Sequence, residues 1–111
     1  MKIQNSLSVY SKMASGEGQK EVTVTQKHKC FAEESMRYKP IEKVPGVGDI
    51  AGKQFRKNKI DMAYKLYGHF LAMGMSEDLF KNFIFKNGGI QQHHLQYAIY
   101  SAMLDYTKQH L

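Results

Sequence analysis

Cysteine, tryptophan and proline are scarce in this chain of 111 residues: it has one cysteine, Cys30, no tryptophan, and two prolines, Pro40 and Pro45. A single cysteine excludes an intrachain disulfide framework and a thiolate zinc cluster, and it fits a reducing compartment, nucleus or cytosol. No stretch approaches the roughly 18 apolar residues of a membrane-spanning helix, and Met1-Lys2-Ile3-Gln4-Asn5-Ser6-Leu7 lacks the apolar run of a secretory leader, so a soluble protein is expected. Acids are also outnumbered, 10 Asp and Glu against 16 Lys and Arg, a net charge of +6. That balance favours polyanionic partners, nucleic acid or an acidic membrane surface, although ordinary solubility accounts for it equally well until the charges are placed.

Catalytic patterns are missing as well. Asp49, Asp61 and Asp78 do not pair with a histidine or lysine as in a nuclease or glycosylase, and no nucleophile elbow occurs, so no enzyme and no cofactor are expected. Neighbours on a helix, such as His93 and His94, point about 100° apart, and no Cys, Asp or Glu stands at a ligand spacing, which argues against a metal site.

What is present is helical periodicity. Residues 1–24, rich in Ser, Gly, Gln and Lys, lack a sustained apolar period and are expected to form a flexible tail, with one domain over 25–111. Thr25 is a reasonable N-cap for a helix running from Gln26 to about Glu34, and a short helical turn is expected over Ile41 to Val44. A helix over Asp49–Lys57 comes next, followed by one restarting at Ile60-Asp61 with Ala63, Leu66, Tyr67, Phe70 and Leu71 on its apolar stripe and Gly74 as its stop. Ser76 should cap a segment in which Leu79, Phe80, Phe83 and Ile84 face inward and which ends at Gly88-Gly89. A last helix, from about Gln91 to Lys108, carries Leu95, Ala98, Ile99, Ala102, Met103 and Tyr106 at core-facing spacing. The class is all-α, a compact bundle of about five short helices. The aromatic residues fall at core spacing rather than as a stacking platform for single strands.

One segment carries binding chemistry. In Val44-Pro45-Gly46-Val47-Gly48-Asp49-Ile50-Ala51, two glycines flank one apolar residue between a short apolar segment and a helix, the layout of a helix-hairpin-helix. Glycine lets the backbone approach a phosphate, and the N–H groups opening the next helix carry partial positive charge. Val47 should anchor the turn in the core. Such a site grips the sugar-phosphate backbone without reading bases. A Gly-x-Gly also punctuates innocent turns, but Lys53, Arg56, Lys57 and Lys59 follow closely, with no acid between Ile50 and Ile60, which favours DNA. Gly46→Glu should therefore block the turn and repel DNA.

From Thr25 to Leu111 the sequence resembles the barrier-to-autointegration factor family, small chromatin proteins of animal nuclei. The resemblance rests on Gln26-Lys27-His28, Phe31-Ala32, Met36, Lys39-Pro40, Gly46-Val47-Gly48, Gly52-Lys53, Asp61-Met62-Ala63-Tyr64, Gly68-His69-Phe70-Leu71 and Glu77-Asp78-Leu79-Phe80, in register without a gap. It implies a SAM-domain-like subunit and a homodimer that bridges two duplexes. DNA contacts are implied at Gln26, Lys27, Gly46, Val47, Gly48, Ile50, Ala51, Gln91 and Gln92, with Lys53 added from the basic run, and a dimer interface at Tyr67, Gly68, Phe83 and Tyr106. It also implies LEM-domain proteins, lamins and histones as partners, location at chromatin and the nuclear envelope and also in the cytoplasm, and release from DNA by phosphorylation just before the first helix, the place of Thr23 and Thr25.

The chain departs from the family pattern at several positions. Phe83 and Tyr106 stand where the family bears Trp and Cys; Gln54 replaces a second lysine; Gln96 or Tyr97 replaces a basic residue of the last helix; Gly74 and Met75 replace paired lysines implicated in LEM-domain binding. The departures fit a divergent paralogue. An alternative is an interaction module that heterodimerises with a related member, modulates it, and binds DNA only weakly itself.

Overall fold

The computed structural model describes residues 26–111. The expected tail over 1–24, the N-cap Thr25 and the phosphorylation candidates Thr23 and Thr25 lie outside them. Among the described residues there are five α-helices, α1 (Gln26–Glu33), α2 (Asp49–Lys57), α3 (Ala63–Ala72), α4 (Glu77–Gly88) and α5 (His93–His110), with a 3-10 turn at Ile41–Lys43 before α2. No helix among the described residues is long and apolar enough to cross a membrane.

The core is aliphatic and aromatic. Phe31, Phe55, Phe70, Phe80, Leu66, Ile84, Ile99 and Met103 are sealed from solvent. Phe70 sits at the centre, with the Phe80 ring at 5.0 Å and the Tyr100 ring at 6.0 Å, both edge-on. Burying a side chain of this size is worth roughly 1.5–3 kcal/mol, so the helix faces follow the apolar periods.

Helix ends are settled by local chemistry. The Ser76 hydroxyl accepts from the Leu79 N–H at 3.3 Å and caps α4, whose first turn carries Glu77 and Asp78. At the end of α2, the Ile60 N–H reaches the Phe55 carbonyl at 2.9 Å and the Lys59 N–H reaches that of Arg56 at 3.0 Å, the double closure of a Schellman motif. The chain is then drawn to the strand-like entry of the 3-10 turn. The Ile41 N–H donates to the Asp61 carbonyl at 3.0 Å and the Ala63 N–H to that of Lys39 at 3.0 Å, so α3 starts at Ala63 and not at Ile60-Asp61.

Two expected inward residues face out: Leu71 is 40% exposed and Leu79 is 56% exposed. Ala63, Leu66 and Phe70 already fill the core side of α3, and Leu71 is turned about 100° from Phe70.

Helix α1 is held against the end of α5. Phe31 packs on the Tyr106 ring at 5.8 Å, His28 Nε2 meets Asp105 Oδ2 at 2.7 Å, and His110 Nε2 donates to the Ala32 carbonyl at 2.9 Å. This docking fixes where Lys27 points.

Candidate nucleic-acid interface

The hairpin begins as a tight turn. The Val47 N–H donates to the Val44 carbonyl at 3.0 Å, and Gly46, third in the turn, has φ +95°. That is the position where a turn with proline second requires glycine. Val44 and Val47 are both buried, anchoring the turn from either side as expected of Val47.

The two glycines face opposite ways. A Cβ on Gly46 would lie 2.9 Å from the Leu95 carbonyl and 2.8 Å from Ile99 Cγ1, so the turn presses its bare backbone against the first turns of α5. A Cβ on Gly48 would meet nothing within 4 Å. Gly48 is the exposed N-cap of α2 and supplies no side-chain cap. Its carbonyl takes the Gly52 N–H at 2.8 Å, while the N–H groups of Asp49, Ile50 and Ala51 have no carbonyl one turn back. Helix α5 likewise starts, after Gln92, without a side-chain cap. The expected start at Gln91 gives way to His93, and Gln91 and Gln92 stay exposed ahead of it.

Lys27 completes this corner. Its Nζ donates to the Val47 carbonyl at 3.1 Å, placing a cation on the turn from 20 residues away. Although the residue is exposed, its amine is tucked in: partial burial, then Lys43, holds the ammonium below the ordinary lysine range against the opposing pull of Asp49 and Glu42. Gln26 is exposed, with its amide 3.3 Å from Cys30 Sγ. Ile50, 87% exposed, projects from the first turn of α2, Ala51 is half-buried behind it, and Lys53 is exposed one turn on. The corner therefore gathers free backbone donors, a buttressing lysine and an exposed apolar side chain, a set suited to phosphate and deoxyribose.

A family model described as barrier to autointegration factor matches residues 22–110. The chain belongs to that family. It is 36% identical over 63 residues to the barrier-to-autointegration factor of Homo sapiens, covering 57% of this chain and 71% of that protein. To the one of Danio rerio it is 34% identical over 62 residues, 56% of this chain and 69% of that protein, and to the one of Drosophila melanogaster 33% over 60 residues, 54% and 67%. Membership in the barrier-to-autointegration factor family supports a non-enzymatic, DNA-binding and chromatin-associated role at the level of the family.

The structure also brings in groups that periodicity did not single out. Arg56, counted with the basic run, grips Glu42 of the 3-10 turn through two bonds, Nη2 to Oε1 at 2.6 Å and Nε to Oε2 at 3.0 Å. Gly52 makes this possible, since a Cβ there would collide with the Glu42 carboxylate. A Gly at that point of an otherwise ordinary helix, one turn before an arginine, was the available signal. The Arg56 guanidinium holds the Glu42 carboxyl below the usual glutamate range. A lowered folded-state value means that the pair's contribution is complete above glutamate's ordinary value and is lost as pH falls through the folded one. The thermal midpoint of the wild type should therefore fall more steeply on acidification than that of Glu42→Gln; parallel curves would contradict this.

Gln96 is buried and its amide donates to the Ile90 carbonyl at 2.8 Å, tying the α4–α5 connection, so of the two candidates for a missing basic position Tyr97 is the exposed one. Of the expected dimer residues, Gly68 faces out with nothing within 4 Å of a Cβ and Phe83 is half-buried against the His69 ring at 4.5 Å. Tyr67 and Tyr106 lie together at 5.1 Å between rings, with the Tyr67 hydroxyl 2.7 Å from Thr107 Oγ1.

Proposed function

We propose that this chain is a sequence-independent, double-stranded-DNA-binding protein of chromatin and the nuclear envelope, present also in the cytoplasm, that acts as a homodimer, each subunit gripping one duplex so that the dimer bridges two. The observation that carries the reading is the uncapped, sterically open start of α2 at Gly48 with Lys27 fastened to the same turn. Backbone donors and a lysine recognise phosphate regardless of the bases, which makes binding general and salt-sensitive. Gln26, Val47, Ile50, Ala51, Lys53, Gln91 and Gln92 border the phosphate path, and Gly46 shapes it from within.

The second subunit is assigned to the outer face of α3. Tyr64, Gly68, Leu71 and Ala72 are exposed, lie at helical spacing and carry no charge, with Met75 exposed just past the helix, and an apolar face of this kind around a bare glycine suits close self-complementary packing. Tyr67 and Tyr106 support that face from beneath, and Phe83 borders it. LEM-domain proteins, lamins and histones belong to the same proposal as partners of the assembled dimer. Thr23 and Thr25 are the phosphorylation sites it names, where a phosphate would compete with DNA for Lys27.

Gly68→Glu tests the dimer. The wild type should run as a dimer in light scattering and Gly68→Glu as a helical monomer, with capture of a second labelled duplex at physiological salt reduced at least tenfold. A wild type that is monomeric would overturn the homodimer, and a variant that remains dimeric would overturn its placement on α3.

A further inference from the structure

We infer that the opposite end of α2 carries a second, weaker site for a DNA duplex, formed by Lys57, Lys59 and Lys86. It rests on the hairpin reading above, because that reading sets the direction of α2. A helix whose N-terminus is aimed at one phosphate backbone leads away from it, and nine residues at about 1.5 Å each carry the C-terminus of α2 roughly 13 Å further off. Lysines there meet a different duplex.

Two helix ends converge at this place. Asn58, just past α2, donates through Nδ2 to the Asn87 carbonyl near the end of α4 at 3.1 Å and to the Gln54 carbonyl at 3.2 Å. Lys57 and Lys59 flank Asn58 in sequence, Lys86 precedes Asn87, and all three are exposed. Acids are missing from both contributing segments: none occurs between Asp49 and Asp61, and none between Asp78 and Asp105. Asp49 lies at the opposite end of α2, and the acids of the neighbouring segments are committed, Glu42 to Arg56 and Asp61 to Lys65 at 2.8 Å. Lys81, the other lysine of α4, is held by Glu77 at 2.6 Å and lies over the Tyr97 ring. Lys57, Lys59 and Lys86 form no ion pair among the described residues.

Lys59 adds a separate observation. It has φ +68° at the Schellman position where glycine is unstrained; Gly74 takes the equivalent place after α3 with the same φ, +68°. A lysine kept in a left-handed conformation sets charge against stability. Cations near helix C-termini also favour the dipole, but that function does not call for a lysine at a strained position. Duplex DNA is favoured over an acidic protein because lysine is depleted at protein interfaces, whereas compact ammonium groups suit phosphates at several distances.

The test uses the full chain carrying Gly68→Glu to remove dimer bridging, titrated with a short duplex at low salt. Two duplexes per monomer are expected, the second with a salt slope of up to about 3, one for each lysine. Adding Lys57→Gln, Lys59→Gly and Lys86→Gln should leave the first duplex bound with unchanged affinity and abolish the second. Lys59→Gly alone should raise the melting temperature by a few degrees while weakening the second site. Two duplexes per monomer in the triple-lysine variant, a single duplex throughout, or binding of a glutamate-rich peptide in place of the second duplex would overturn the inference. Should Gly68→Glu remain dimeric, the same comparison is read as duplexes per subunit. Loss of the hairpin reading registers separately, as a Gly48→Glu variant whose first duplex binds as in the wild type.

Discussion

Gly48→Glu should weaken duplex binding about a hundredfold or more, equivalent to roughly 3 kcal/mol, with helicity and melting temperature close to wild type. Gly48 is exposed, its φ of −98° is open to any residue, and nothing lies within 4 Å of a Cβ placed there. The fold has no reason to object. A phosphate approaching the N–H groups of Asp49, Ile50 and Ala51 does, because the new carboxylate stands in the approach and adds like charge beside Asp49. Fluorescence anisotropy with an unrelated pair of duplexes reads the loss, and circular dichroism verifies the fold. Full affinity in a folded Gly48→Glu protein would remove the hairpin from the account.

Gly46→Ala should act in the opposite way, on stability first. Its φ of +95° is costly for a residue with a Cβ, and that Cβ would press on the Leu95 carbonyl and on Ile99. Left-handed strain of roughly 1–2 kcal/mol and overpacking of roughly 1–3 kcal/mol together predict a loss of about 2–5 kcal/mol, or a melting temperature lower by roughly 10–40 °C. The same geometry reinterprets Gly46→Glu, which the sequence suggested as a block to DNA. Such a side chain would enter the contact between turn and α5, so its loss of binding would reflect a displaced turn as much as repulsion. A melting temperature for Gly46→Ala within a degree or two of wild type would contradict the assigned contact.

The elements most legible in the sequence were those whose signals are local. Helix α2 spans the expected Asp49–Lys57, bracketed by Gly48 and a cluster of basic residues, and Ser76 caps α4 as its sequence of Ser, Glu and Asp suggested. The turn at Pro45-Gly46 was legible for the same reason, as was the burial of Val47. What escaped was set by contacts distant in sequence. Residues 60–62 have a helical pattern but are drawn into pairing with Lys39 and Ile41, so α3 opens late. Leu71 and Leu79 satisfy an apolar period whose core side was already full. Arg56 counted toward DNA by its place in a basic run, yet Glu42, on a separate turn, claims it. The link from Lys27 to Val47 joins α1 to the hairpin through the packing of α1 on α5, which no local pattern encodes; only the family resemblance had marked Lys27.

That the α2 hairpin binds the phosphate backbone of duplex DNA without regard to sequence underlies the proposed function. It is tested most directly by measuring the affinity of the full chain for several unrelated duplexes over a range of salt concentrations. The account predicts the same affinity for each duplex, with log K falling linearly and steeply with log salt, at a slope of about −0.9 for every phosphate neutralised. Undetectable binding at low salt, or an affinity that follows base sequence, would contradict it.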